Sequence, residues 1–165
     1  MSKFAGDKIT ASDFNKVADI PRCRALATAA QTIPNSTFTA ISFPAEDYKV
    51  LVGHDTISNP TFYSCQVAGL YALSGGVYMA TNSTGVRALK WQKNGVDIPA
   101  SGNSVQPQTG VQTPIMARVT EVQLAVGDFV TLLVFQGSGG NLDTYVGADY
   151  ARPSMSMRLI RDDSL

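Results

Sequence analysis

Residues 128–136 read Asp-Phe-Val-Thr-Leu-Leu-Val-Phe-Gln, and this stretch decides the fold class. Its β-branched and aromatic residues are typical of a strand, in which successive side chains alternate between two faces. One face carries Val130, Leu132 and Val134, and the other carries Phe129, Leu133 and Phe135. A strand with one solvated face would alternate apolar and polar residues. We therefore predict that this strand is covered on both sides.

A second stretch, residues 69–80, has the same doubly apolar character. Tyr71, Leu73, Val77 and Met79 share one face, whereas Leu70 and Tyr78 lie on the other. A two-layer sandwich has no third layer, so another subunit is the natural second cover. The sequence thus predicts a trimer interface at Leu70, Tyr78, Phe129, Leu133 and Phe135. The alternative is that both rows are simply core in an irregular sheet.

Outward from these two strands, the chain consists of short runs rich in Val, Thr, Phe and Tyr, separated by Gly, Pro and Asn. The predicted strands are 23–31, 37–43, 48–52, 61–67, 69–80, 86–93, 111–124, 128–136, 142–146 and 153–160. Asn94-Gly95 predicts a hairpin because both residues tolerate positive φ, and 99–114 reads as a long loop. About ten short strands at this spacing predict an all-β, antiparallel jelly-roll sandwich.

The first 21 residues differ from the rest of the chain. Residues 9–17 predict a short helix that Thr10 or Ser12 can cap. A helix of one or two turns is not stable alone in water, so its apolar side chains need a surface to pack on. We therefore predict two parts, an N-terminal anchoring arm (1–21) and a knob (22–165). The anchoring residues are expected to be Phe4, Ile9, Phe14 and Val17.

Composition excludes several classes of function. The chain has 165 residues, with 13 Lys+Arg against 13 Asp+Glu and a net charge of zero. Such a chain has no overall electrostatic attraction to nucleic acid or to an anionic membrane. No window approaches the ~18 consecutive apolar residues of a membrane span, and the opening residues predict no secretory signal. Cys23 and Cys65 are too few for a disulfide framework or a zinc site, and we expect both to be free, buried thiols.

Few residues offer chemistry. His54-Asp55 is the one histidine beside a carboxylate, but no strained Gly-x-Ser-x-Gly turn supplies a nucleophile. A locally hydrogen-bonded histidine is the plainer interpretation, and three copies of His54 or Asp55 around an ion on a symmetry axis is the other. Asp128 reads as a turn residue that bonds the backbone. The sequence predicts no catalytic residue, no metal ligand and no cofactor.

Sugar binding is the remaining chemical possibility, because aromatic platforms beside amide groups bind glycans. The candidate aromatic residues are Tyr48, Phe62, Tyr63, Trp91 and Tyr145. Most aromatic residues of β proteins are core, so the bland alternative is that these five are packed inside.

Four motifs occur in an order that resembles a known family: Ala68-Gly69-Leu70-Tyr71, Asn94-Gly95, Leu124-Ala125-Val126-Gly127-Asp128-Phe129-Val130 and Pro153-Ser154-Met155-Ser156. Over residues 22–161 the chain resembles the jelly-roll globular head of complement component q and its relatives in the tumour necrosis factor superfamily. That resemblance implies a compact homotrimer with an apolar three-fold axis. The collagen-like stalk of the complement proteins has no counterpart here, since the sequence contains no Gly-X-Y run.

The segment Phe4-Ala5-Gly6-Asp7-Lys8-Ile9-Thr10-Ala11-Ser12-Asp13-Phe14-Asn15 is similar to the opening of many tailed-bacteriophage virion proteins. Together the two resemblances imply a non-enzymatic virion protein, a trimeric capsid decoration protein (a head fibre or minor capsid protein). Its partner would be the major capsid protein or another virion protein, and its location the virion surface after assembly in the host cytoplasm. The alternative is a tail-tip receptor-binding protein that recognises a host cell-wall saccharide, which would make a host glycan a further partner.

Overall fold

The computed structural model describes residues 20–162, which form fifteen strands and one single-turn 3-10 helix, Asp149–Ala151. In chain order the strands are β1 (Arg22–Leu26), β2 (Thr32–Ile33), β3 (Thr39–Ala40), β4 (Ala45–Val50), β5 (Val52–Asp55), β6 (Asn59–Cys65), β7 (Gly69–Met79), β8 (Arg87–Lys93), β9 (Val96–Asp97), β10 (Asn103–Val105), β11 (Thr113–Met116), β12 (Thr120–Leu124), β13 (Phe129–Gln136), β14 (Leu142–Asp143) and β15 (Ser154–Asp162). In this part of the chain no helix is long and apolar enough to cross a bilayer.

The strands form two main sheets, and the ladders within them are antiparallel. The first sheet has the order β11-β7-β15-β1-β4, with β12 also paired to β7. The second has the order β10-β8-β13-β6-β5, with β3 on β13 and β9 on β8. Neighbours in each sheet are mostly distant in sequence, as crossing connections of a jelly roll require. The predicted all-β antiparallel jelly-roll sandwich is therefore confirmed.

The core lies between the two sheets. The inner face of β13 contributes Val130, Leu132 and Val134, each fully buried, and Trp91 of β8 is fully buried beside them. Gly75 of β7 leaves room for that indole, because a β-carbon there would lie 3.2 Å from Cζ2 of Trp91 and 2.8 Å from Cδ2 of Leu132. The absence of a side chain at one position therefore lets the largest side chain of the core pack between the sheets.

The outer face of β13 is flanked within its own sheet by aromatic residues of the paired strands β3 and β6, and Phe129 and Phe135 on this face are half-buried. The ring of Phe38 lies 5.2 Å from that of Phe135, and the ring of Phe62 lies 5.2 Å from that of Phe129. Leu133 between them is 8% exposed. Strand β3 pairs antiparallel with β13 and brings Phe38 beside Phe135, a contact between residues 97 positions apart that no local pattern contains.

Strand boundaries differ from the predicted ones where the chain stops pairing with the neighbouring strand. The predicted strand 111–124 is two strands, β11 and β12, that pair successively with β7. Between them the Arg118 N–H donates to the carbonyl of Ser101, so the chain bends toward the preceding loop. The segment 99–114, predicted to be a loop, contains the short strand β10 and the start of β11.

The hairpin between β8 and β9 and the turn before β13 are joined by one carboxylate. Asn94 and Gly95 have φ of 51° and 78°, which confirms the hairpin prediction. Asp128 accepts hydrogen bonds from the Ala125 N–H at 2.7 Å and from Nδ2 of Asn94 at 2.7 Å, and Nζ of Lys93 lies 2.8 Å from it. The prediction that Asp128 bonds the backbone of its own turn is confirmed.

We expect Asp128→Asn to lower the free energy of unfolding by about 1–2 kcal/mol at pH 7. Hydrogen bonds from Lys93, Ala125 and Asn94 lower the pKa of Asp128 from its ordinary 3.8 to about 2. A carboxyl whose folded pKa is depressed contributes stability above its unfolded pKa and loses it as the pH falls through its folded pKa. The difference between wild type and variant should therefore shrink as the pH falls from 4 toward 2. Urea unfolding at several pH values measures this, and a difference that stays constant with pH contradicts it.

Candidate functional site

The outer face of the first sheet carries small side chains along its two central strands. We call this surface the β7–β15 face, and its central residues are Ala72, Ser74, Gly76, Ser154 and Ser156. Oγ of Ser74 and Oγ of Ser156 are 2.7 Å apart, which ties the strands together across the face. The alternation of small residues at 72, 74 and 76 was visible in the sequence. Sequence reasoning missed it because it looked for large apolar residues.

Two adjoining depressions of about 310 and 340 Å³ lie on this face. Both include Ser74, Ser156 and Val119 in their walls. Apolar side chains at their margins are unusually accessible: Val119 is 74% exposed, Met116 53% and Tyr48 47%. The face therefore combines a low, hydroxyl-lined floor with exposed apolar margins, a shape that accepts protruding side chains from a partner.

The predicted interface residues do not form one surface. Leu70 and Tyr78 project from β7 onto the β7–β15 face and are half-buried. Phe129, Leu133 and Phe135 project from β13 on the opposite outer face of the sandwich. The two sets therefore lie on opposite outer faces of the sandwich, and their place in a trimer interface stays a prediction. The predicted anchoring residues Phe4, Ile9, Phe14 and Val17 lie outside the described residues.

A second cluster of polar residues lies inside the sandwich near the end of the first sheet. Glu46 of β4, Cys23 of β1 and His54 of β5 converge there. Nδ1 of His54 is 2.8 Å from Oε1 of Glu46, and Nζ of Lys49 is 3.1 Å from the same oxygen. Burial raises the pKa of the Cys23 thiol to about 11. Burial also opposes ionisation of Glu46, but hydrogen bonds from His54 and Lys49 outweigh it and lower the pKa of that carboxyl.

The sequence placed His54 with Asp55, whereas the structure separates them. Adjacent residues of β5 point to opposite faces, so His54 is 3% exposed and Asp55 faces solvent. Asp55 instead accepts hydrogen bonds from the N–H groups of Ile57 and Ser58. The His54 ring is buried within one chain, which is unfavourable to three copies of it around an ion on a symmetry axis, whereas for the exposed Asp55 that alternative stays a prediction.

The five aromatic candidates for sugar stacking differ in burial. Trp91 and Tyr63 are fully buried in the core, and Phe62 packs on Phe129. Tyr145 is half-buried, and Tyr48 is the most accessible of the five, on the β7–β15 face. The bland alternative therefore holds for Trp91 and Tyr63, and the structure brings no set of exposed rings together from these five.

Both cysteines are buried and free, as predicted. Sγ of Cys65 donates to the carbonyl of Val67 at 3.0 Å, and the same carbonyl accepts a hydrogen bond from the Tyr71 hydroxyl at 2.6 Å. Burial raises the pKa of the Cys65 thiol. The Cys65 thiol therefore has a hydrogen-bond acceptor of its own and does not belong to the polar cluster at Cys23.

No protein-family model matches the sequence, and no curated protein sequence matches it. Solved structures do match the fold. The globular domain of the zebrafish complement 1qA protein has 14% sequence identity and a TM-score of 0.62, over 87% of this chain and 99% of that one. Murine APRIL at pH 5.0 has 9% identity and a TM-score of 0.64, over 85% of this chain and 99% of that one.

The structure of Eiger TNF from S. frugiperda is similar to the same degree. It has 10% identity and a TM-score of 0.62, over 87% of this chain and 94% of that chain. At such identities the likeness concerns the fold alone. The described chain therefore has the jelly-roll fold of the complement component q and tumour necrosis factor globular domains, as the order of its sequence motifs implied.

Proposed function

We propose that this chain is a non-enzymatic structural protein that assembles as a homotrimer through the β7–β15 face. The observation that carries the proposal is the contrast between the two outer faces of the sandwich. On the second sheet Phe38 and Phe62 pack beside the half-buried Phe135 and Phe129, whereas the apolar margins of the β7–β15 face are more exposed at Val119, Met116 and Tyr48. An exposed patch of this kind in a small domain is typical of an interaction surface.

A second copy of the chain is the occupant that the fold favours. The complement component q and tumour necrosis factor families that this chain resembles form homotrimers. Leu70 and Tyr78, predicted from the sequence to lie in the interface, project onto the β7–β15 face and can pack against a neighbour there. The proposed interface does not include Phe129, Leu133 and Phe135, because these residues lie on the other outer face of the sandwich.

Sedimentation equilibrium of the purified chain tests the assembly. We expect a mass three times the 17.5 kDa of the chain at micromolar concentration. A species of the monomer mass at all concentrations contradicts the proposal, and a dimer contradicts its symmetry.

The particle to which the trimer belongs is proposed from the N-terminal segment. The similarity of residues 4–15 to the openings of bacteriophage virion proteins supports a capsid decoration protein, with the knob outward and the arm docked on the major capsid protein. A tail-tip receptor-binding protein is the second candidate, and exposed Tyr48 on a hydroxyl-lined surface is the feature that favours it. Both place the protein on the virion surface.

We expect Phe14→Ser in the full-length chain to reduce its occupancy on particles at least ~10-fold, because loss of one fully buried aromatic contact costs about 1.5–3 kcal/mol. The melting temperature of the knob should not change. Ile57→Ser is the matched control, since Ile57 is 88% exposed on the turn between β5 and β6. Quantitative gel analysis of purified particles measures occupancy. Equal occupancy of the two variants excludes Phe14 from the anchor.

A further inference from the structure

We propose that Cys23, Glu46 and His54 form a binding site for a divalent transition metal of the Zn²⁺ type, inside each subunit. Sγ of Cys23, a carboxylate oxygen of Glu46 and a ring nitrogen of His54 lie within 4.8 Å of one another. In a tetrahedral zinc site, bonds of about 2.0–2.3 Å hold ligand atoms roughly 3.5 Å apart. Side-chain rotations that move the ligand atoms by about an ångström therefore convert the present cluster into a coordination sphere.

The backbone holds the three residues in place. Cys23 lies on β1 and Glu46 on the neighbouring β4 of the first sheet, whereas His54 lies on β5 of the second. A single residue, Leu51 at a φ of 49°, separates β4 from β5 and turns the chain from one sheet to the other. A metal bound here would link the two sheets at the point where the chain crosses between them.

The donor atoms select the class of metal. One sulfur, one imidazole nitrogen and one carboxylate oxygen fit Zn²⁺ and its borderline neighbours, whereas Ca²⁺ and Mg²⁺ prefer oxygen ligands alone. Binding requires that the Cys23 proton be released to solvent, after which thiolate and carboxylate together balance the dication. Lys49 then remains paired with the Glu46 carboxylate, and solvent on the partly exposed side of Glu46 can supply the fourth ligand.

The groups around the cluster are nearly all engaged with one another. The hydroxyl of Tyr63 is hydrogen-bonded with the Cys23 thiol, Nδ1 of His54 faces Glu46, and Nε2 of His54 has no hydrogen-bond partner of regular geometry among the described residues. His54 and Tyr63 are more than nine-tenths buried, and their rings are 5.3 Å apart. A metal held by Cys23, Glu46 and His54 would take the place of the present contact between Nδ1 of His54 and Glu46, and the Cys23 thiolate would keep the hydrogen bond of the Tyr63 hydroxyl.

This inference departs from the sequence-based expectation of no metal ligand. The three residues lie on three strands and match no spaced metal motif, so only the folded chain brings them together. It is also independent of the proposed trimer, because the site lies within one subunit. Monomeric protein should therefore bind the metal equally well.

Titration of the full-length protein with Co²⁺ tests the site. We expect one equivalent to bind per chain with a thiolate-to-cobalt charge-transfer band in the near ultraviolet and the intense visible bands of tetrahedral Co²⁺. Zn²⁺ should displace it and raise the melting temperature. The matched variants are Cys23→Ser and Cys65→Ser, since both cysteines are buried but only Cys23 belongs to the cluster.

Cys65→Ser should retain the charge-transfer band, and Cys23→Ser should lose it. The affinity for Zn²⁺ should fall in Cys23→Ser by more than the roughly 10–100-fold that loss of an outer hydrogen-bond partner costs. His54→Gln provides the second test if Cys23→Ser does not fold, because it should weaken Zn²⁺ binding while the sulfur remains. No saturable binding, or equal binding by wild type and the two cluster variants, overturns the proposal.

Discussion

Val119→Asp is expected to convert the proposed trimer into monomers. Val119 lies between β11 and β12, borders both depressions of the β7–β15 face and is 74% exposed in the isolated chain. The substitution should therefore leave the fold intact while it places an unpaired carboxylate in a dry interface. Such a charge costs about 3 kcal/mol or more, so the dissociation constant should rise more than ~100-fold.

Val96→Asp is the matched control for this variant. Val96 lies in the β8–β9 hairpin of the second sheet and is 69% exposed, so the chemistry and exposure are the same but the surface is different. Analytical ultracentrifugation of the three proteins gives the answer. A monomeric Val96→Asp with a trimeric Val119→Asp would place the interface on the second sheet.

Phe135→Asp tests whether the outer row of β13 belongs to the trimer interface. Phe135 lies on β13 and packs beside the Phe38 ring of the same chain. The variant should lower the melting temperature because this ring contact is lost, yet the folded fraction should remain assembled.

Arg87→Met is expected to lower the free energy of unfolding by about 3 kcal/mol, which is a drop of roughly 10 °C in melting temperature for a chain of this size. Arg87 opens β8 and is fully buried. Its guanidinium donates to the carbonyls of Thr84 at 2.8 Å, Val86 at 3.2 Å and Asn82 at 3.0 Å. Burial lowers the pKa of this guanidinium. Methionine nearly matches its length but leaves these carbonyls without their donor.

Lys90→Met is the control for the loss of a positive charge on the same strand. Lys90 pairs with exposed Asp97 at 2.6 Å, a contact that solvent screens. We expect that change to cost no more than about 1 kcal/mol. Differential scanning calorimetry of both variants checks the comparison, and similar melting temperatures would show that the carbonyl contacts of Arg87 contribute little.

The sequence alone determined the features that depend on neighbouring residues. Alternation of side chains identified β7 and β13, and the positive-φ tolerance of Asn94-Gly95 identified the hairpin. Asp128 could be assigned to its turn because its partner, the Ala125 N–H, is three positions away. From these local signals the class of fold follows, since many short strands separated by turn residues have few stable arrangements.

Only the tertiary structure decided which side chains lie against each face of the strands. The aromatic row on the outer face of β13 is extended by Phe38, which β3 brings beside Phe135 from 97 positions away. The pairing of His54 with Glu46 rather than Asp55 follows from the crossing between the sheets. Periodicity tells which side chains share a face. What lies against that face is set by contacts between residues far apart in sequence, and those exist only once the sheets have packed.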